Sequence, residues 1–178
     1  MEWYNEPNQW SIQGETVTIT TNSKTDFWRK THNGAIRDNG HFLYQQVGGD
    51  FTAEVSFSGS YTGQYDQAGL MVRLDEANWL KCGLEYVDGV QYVSAVVTRD
   101  YSDWSVVPLQ PGNASLGLRL TRHSDTVEIS YSLDGANYVM LRQAYLPLAN
   151  SVDVGLMCAS PEGDGFEAVF KNLSITRA

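Results

Sequence analysis

Apolar and polar residues alternate with period two along most of this chain, and no stretch of a dozen residues holds a helical period. That pattern turns one face of an extended strand toward a core and the other away from it, which restricts the chain to an all-β fold. Strands are expected at 16–20, 41–47, 51–58, 68–74, 80–87, 92–98, 116–121, 126–132, 138–143, 152–158 and 167–176. Turn residues separate them at Asn33-Gly34, Asp38-Asn39-Gly40, Gly48-Gly49-Asp50, Asp88-Gly89, Pro111-Gly112-Asn113, Asp134-Gly135 and 161–165. Asp88-Gly89 and Asp134-Gly135 supply the positive-φ positions that two-residue hairpins demand. Short strands joined by tight turns imply a two-layer sandwich or a barrel.

The chain has 178 residues, the size of one domain, and residues 1–178 are read as a single unit without repeat, linker or low-complexity tract. A hydrophobic content of 42% supplies a core without metal or disulfide staples. Twelve Lys and Arg stand against 21 Asp and Glu, a net charge of -9 that argues against nucleic acid and anionic membranes as partners. No apolar run approaches the roughly 18 residues of a membrane span. Cys82 and Cys158 sit inside alternating apolar runs and are expected to be buried, reduced thiols. The opening MEWYNEPNQW has no basic segment followed by an apolar one, so a cytoplasmic location is expected. In that compartment the sequons Asn113-Ala114-Ser115 and Asn172-Leu173-Ser174 stay unmodified.

Parity assigns the strand faces. Phe51, Ala53, Val55 and Phe57 share a core face, leaving Thr52, Glu54, Ser56 and Ser58 opposite. In the same way Ala68, Leu70, Val72 and Leu74 oppose Gln67, Met71 and Arg73, while Leu80, Cys82, Leu84 and Tyr86 oppose Trp79, Lys81 and Glu85. If consecutive strands are neighbours, Glu54, Arg73, Trp79, Lys81 and Glu85 gather on one polar face with an exposed aromatic among them.

Several runs carry a resemblance: Thr25-Asp26-Phe27-Trp28-Arg29-Lys30-Thr31; Asp38-Asn39-Gly40-His41-Phe42-Leu43; Asp66-Gln67-Ala68-Gly69-Leu70-Met71-Val72-Arg73; Asn78-Trp79-Leu80-Lys81-Cys82-Gly83-Leu84-Glu85-Tyr86; Tyr131-Ser132-Leu133-Asp134-Gly135; and Val154-Gly155-Leu156-Met157-Cys158-Ala159-Ser160-Pro161. Together they resemble a domain-of-unknown-function family of the concanavalin A-like lectin/glucanase superfamily, one that includes a yeast protein named for regulation of enolase. The middle part is also similar to the concanavalin A-like module of some β-xylosidases. The resemblance implies a jelly-roll β-sandwich of two curved antiparallel sheets, whose concave face binds sugars in related proteins.

Sugar recognition needs a flat ring against the C–H face of a pyranose, flanked by planar polar side chains. Rings are offered by Trp28, Trp79, Tyr86, Tyr92 and Trp104. The expected ligand site comprises Asp26, Trp28, Arg29, His32, Asp66, Arg73, Trp79, Lys81 and Glu85, with the loop bearing Trp28 folded over the edge of the polar face. Trp3, Trp10 and Trp104 are assigned to structure instead. The ligand expected is a small sugar or oligosaccharide.

An alternative is a glycoside hydrolase or lyase with Glu54 and Glu85 converging to the roughly 5–9 Å that paired-carboxylate chemistry requires. The Glu-x-Asp-x-x-Glu and Glu-x-Asp-x-Glu patterns of the superfamily's retaining glycosidases are absent, and no catalytic residue is assigned. His32, His41 and His123 lack zinc-ligand spacing, and the acidic 161–165 turn lacks a calcium-loop pattern, so no metal or cofactor is expected. A third reading, a regulatory domain that binds a protein partner, follows from the name of the yeast relative.

Overall fold

The computed structural model describes residues 1–110 and 115–178; the Pro111-Gly112-Asn113 turn and Asn113 and Ala114 of the first sequon lie outside them. The alternating segments form two seven-stranded antiparallel sheets. In spatial order the first holds β1 (Glu2–Tyr4), β6 (His41–Val47), β15 (Val152–Ala159), β8 (Gln67–Arg73), β9 (Asn78–Val87), β10 (Val90–Arg99) and β11 (Tyr101–Pro108). The second holds β14 (Val139–Tyr145), β13 (Thr126–Ser132), β12 (Leu116–His123), β7 (Phe51–Gly59), β16 (Glu167–Arg177), β3 (Thr16–Thr20) and β2 (Gln9–Gln13). A separate hairpin of β4 (Phe27–Arg29) and β5 (Ile36–Asp38) turns at Asn33-Gly34, where Gly34 takes φ 73°. The described residues contain no helix.

All eleven expected strands are present, and β1, β2, β4, β5 and β11 are additional. Three of the additions span only three residues, too short for a period to show, and β2 is exposed along its whole length at a sheet edge.

The core between the sheets follows the expected parity, with Ala53, Val55 and Phe57 of β7 meeting Leu70 and Val72 of β8 and Leu80, Cys82 and Leu84 of β9. A second apolar cluster lies on the outer face of the first sheet, where Phe27 of the hairpin sits on Phe42, Met71, Trp79, Val96 and Met157. Burial of rings as large as Phe27 and Trp79 contributes about 1.5–3 kcal/mol each.

Two expectations are corrected here. The chain crosses between sheets after β7, so Glu54 lies on the second sheet, paired with Arg119 at 2.7 Å, and cannot converge with Glu85 of the first. Trp79 does take the outer face, yet it is 1% exposed because the hairpin covers it.

Both cysteines are free and buried. Burial pushes the Cys82 thiol up to about 12 and raises that of Cys158 as well, so neither supplies thiolate at neutral pH. A thiol reagent is therefore expected to label neither in the folded protein and both after non-reducing denaturation. A disulfide, or a fast-reacting thiol in the native state, would contradict this.

Candidate functional site

The hairpin shapes the site by closing off part of the outer face. Phe27 anchors it, and Gly40 gives the ring room, since a Cβ there would stand 2.4 Å from Phe27 Cε2. Polar clamps hold both of its strands. On β4, the Arg29 backbone N–H donates to Ser102 Oγ at 2.9 Å, while the Arg29 and neighbouring Lys30 side chains reach Asp100 at 3.0 and 2.6 Å. On β5, Asp38 receives Arg73 through two bonds of 2.8 and 2.9 Å, and the Tyr4 hydroxyl donates to the same carboxylate at 2.7 Å. The guanidinium of Arg73 also lies 4.5 Å from the Tyr4 ring centroid.

Beside the hairpin the outer face of the first sheet holds a patch of buried polar groups. Lys81 Nζ donates to the Phe27 carbonyl at 2.7 Å and to Gln67 Oε1 at 2.5 Å, with Asp26 Oδ1 at 3.4 Å. Glu85 Oε2 accepts from Ser94 Oγ at 2.6 Å and from the Trp104 indole N–H at 2.8 Å. Its other oxygen, Oε1, accepts no hydrogen bond among the described residues and keeps contact with solvent. Burial raises the Glu85 carboxyl above its usual range, against the opposing pull of Lys81, Ser94 and Trp104.

Gln67, Lys81, Gly83, Glu85, Ser94 and Met157 surround a depression of about 10 Å³, room for one water-sized group. Gly69 and Gly83 face each other across β8 and β9, so no side chain fills the floor at that level. Trp104, 43% exposed, stands at the rim with Tyr65 edge-on to it. Tyr92, half-buried, is the cross-strand partner of Glu85.

Of the nine expected site residues, Asp26, Lys81 and Glu85 meet at this patch. Arg29, Arg73 and Trp79 instead fasten or support the hairpin. Trp28 belongs to the hairpin too, its indole N–H donating to the Thr31 carbonyl at 2.9 Å. His32 is exposed near the hairpin tip, at φ 74°. Asp66 is a correction: it is buried in the β7–β8 connection, accepting from the Thr62 and Gly63 N–H groups at 3.0 and 2.7 Å and from Ser160 Oγ at 2.6 Å. That carboxylate staples two loops together.

Gln67, Ser94, Tyr65 and Trp104 complete the patch and lie outside the nine expected residues, although Trp104 is among the rings the sequence offers. Ser94 shares the non-core parity of Tyr92 in β10, a signal that was readable. Among the described residues no cluster of three or more His, Cys, Asp or Glu could hold a metal ion.

A family model described as "Protein of unknown function (DUF1349)" matches residues 3–178. "Regulation of enolase protein 1" of Saccharomyces cerevisiae is 41% identical over 175 residues, covering 98% of this chain and 88% of that protein. A crystal structure of a functionally unknown protein from Saccharomyces cerevisiae superimposes with a TM-score of 0.94 at 40% identity, over 99% of this chain and 96% of that one. Two more distant structures share the fold alone. The GH43 BlXynB protein from Bacillus licheniformis has a TM-score of 0.72 at 16% identity, over 97% of this chain and 36% of that one. Carbohydrate binding module CBM66 from Bacillus subtilis has a TM-score of 0.60 at 14% identity, over 97% of this chain and 94% of that one. With the family match running nearly end to end and a relative this similar over almost its whole length, the chain belongs to the DUF1349 family.

Proposed function

We propose that this domain binds a neutral sugar or related polyol at the patch around Glu85, without breaking glycosidic bonds. The observation that carries the reading is the half-used carboxylate: Glu85 is buried and held on one oxygen by Ser94 and Trp104, while the other accepts nothing among the described residues. An acceptor that has no protein donor and keeps contact with solvent at the depression is free to take a hydrogen bond from a ligand. A sugar hydroxyl is such a donor, and it matches the single-group size of the depression. Lys81 and Gln67 supply polar neighbours, and the exposed Trp104 offers an aromatic surface for the C–H side of a ring. The shared fold with a carbohydrate-binding module is consistent with this use of a sheet face.

A catalytic reading is weaker on this geometry. Hydrolysis by paired carboxylates requires a second free acid near Glu85. Glu54 is on the other sheet, and the other carboxylate of the patch, Asp26, is ion-paired with Lys81 at 3.4 Å.

A glycan array, followed by calorimetric titration of the hits, tests the reading. Binding is expected without turnover, and Glu85→Gln should weaken it by about tenfold or more, the loss of one charge-assisted hydrogen bond. A blank array would sink the sugar reading and turn attention to a protein partner, which the name of the yeast relative suggests.

A further inference from the structure

Tyr65 lies in the left-handed region at φ 65°, a conformation that bulky side chains rarely adopt and that clusters where a fold holds a residue for function. Its backbone is pinned there on both sides. The Tyr65 N–H donates to the Tyr86 carbonyl at 2.7 Å, and its own carbonyl accepts from Gln67 Nε2 at 3.1 Å. Neither bond uses the side chain, and a glycine would take the same backbone without steric cost. The ring is therefore surplus to the turn that strains it.

What the ring does is stand against Trp104, with centroids 6.3 Å apart and planes at 78°. Trp104 is in turn fixed by its bond to Glu85 while staying 43% exposed. The two rings make a near-right-angled corner beside the half-used carboxylate. Gln67 joins the parts, because its side chain binds Lys81 through Oε1 and the Tyr65 carbonyl through Nε2.

Resting on the sugar-binding reading above, we propose that Tyr65 is a specificity-determining residue of this site, forming with Trp104 an aromatic corner that receives one sugar ring while a ring hydroxyl reaches Glu85. The left-handed backbone is retained because it aims the ring into that corner. A sugar whose hydroxyls project from both faces fits such a corner less well than one with an apolar face and edge, so the corner selects among neutral sugars by shape.

The test is titration with the methyl glycosides of xylose, arabinose, glucose and fructose, read by the Trp104 indole N–H resonance. At least one glycoside is expected to shift that resonance in the unaltered protein. Tyr65→Gly should keep or raise the melting temperature, by relieving the backbone, yet weaken binding of that glycoside about tenfold. Tyr65→Asn, which tolerates the same backbone, should behave alike, whereas Tyr65→Phe should stay within about threefold. Unchanged affinity in both Tyr65→Gly and Tyr65→Asn, with Trp104→Ala still defective, would overturn the role of Tyr65 and leave the site standing. If no glycoside shifts the indole resonance of the unaltered protein, the site and the corner fall together.

Discussion

Trp79→Ala is expected to remove about 3–5 kcal/mol of folding stability, read as a lower urea midpoint at nearly unchanged slope. The side chain is 1% exposed and meets the Phe27 ring edge-on with centroids 6.2 Å apart. Its indole N–H reaches the Glu76 carbonyl at 3.3 Å. Truncation leaves a cavity between two layers that cannot collapse freely, because Arg73–Asp38 and Arg29–Asp100 still hold the hairpin at both strands. Phe27→Ala should lose a similar amount. The double variant should lose less than the sum, since the two rings share one contact. A Trp79→Ala loss below about 1 kcal/mol would mean that the hairpin does not cover this face in solution.

That ring also shows what was legible in the sequence and what was not. Parity put Trp79, Lys81 and Glu85 on the non-core side of β9, and the structure agrees. Parity describes a strand, however, and says nothing about what another segment lays over it. Phe27 and Trp28 lie in a three-residue strand that carries no period, so the covering hairpin left no alternation to read. The aromatic that parity alone leaves exposed is the floor of a second cluster.

The misplacements have equally local causes. The rule that consecutive strands adjoin groups Glu54 with β8 and β9, but the β7–β8 connection is where the chain changes sheets. Asp66 stands one residue before β8, and its carboxylate turns back onto the Thr62 and Gly63 N–H groups and across to Ser160, a partner 94 residues away that only folding brings to it. Trp104 belongs to β11, an edge strand exposed along most of its length and without a regular alternation, so parity assigns it no face. The left-handed backbone of Tyr65 follows from hydrogen bonds to Tyr86 and Gln67, and those partners meet it only through folding.

Lys81→Met carries the second large effect, a loss of about 3 kcal/mol at neutral pH. Methionine keeps the length of the side chain but removes three donations, to the Phe27 carbonyl, Gln67 Oε1 and Asp26. It also removes the positive charge that holds the Glu85 carboxyl down against burial. The expected loss sits at the low end for a broken buried pair because Asp26 keeps some access to water. Its pH dependence identifies the cause. Glu85 is raised in the folded protein relative to the unfolded chain, so the folded state holds the proton more tightly and stability falls as pH rises through that interval. Without Lys81 the folded carboxyl rises further, the interval widens toward neutrality, and the variant recovers part of its deficit when acidified below the folded value. Adding Glu85→Gln should abolish that recovery and restore part of the stability at neutral pH, since no charge then remains to be buried. A Lys81→Met deficit that stays constant from acid to neutral pH would instead attribute the loss to the Phe27 and Gln67 hydrogen bonds alone, with no electrostatic coupling between Lys81 and Glu85.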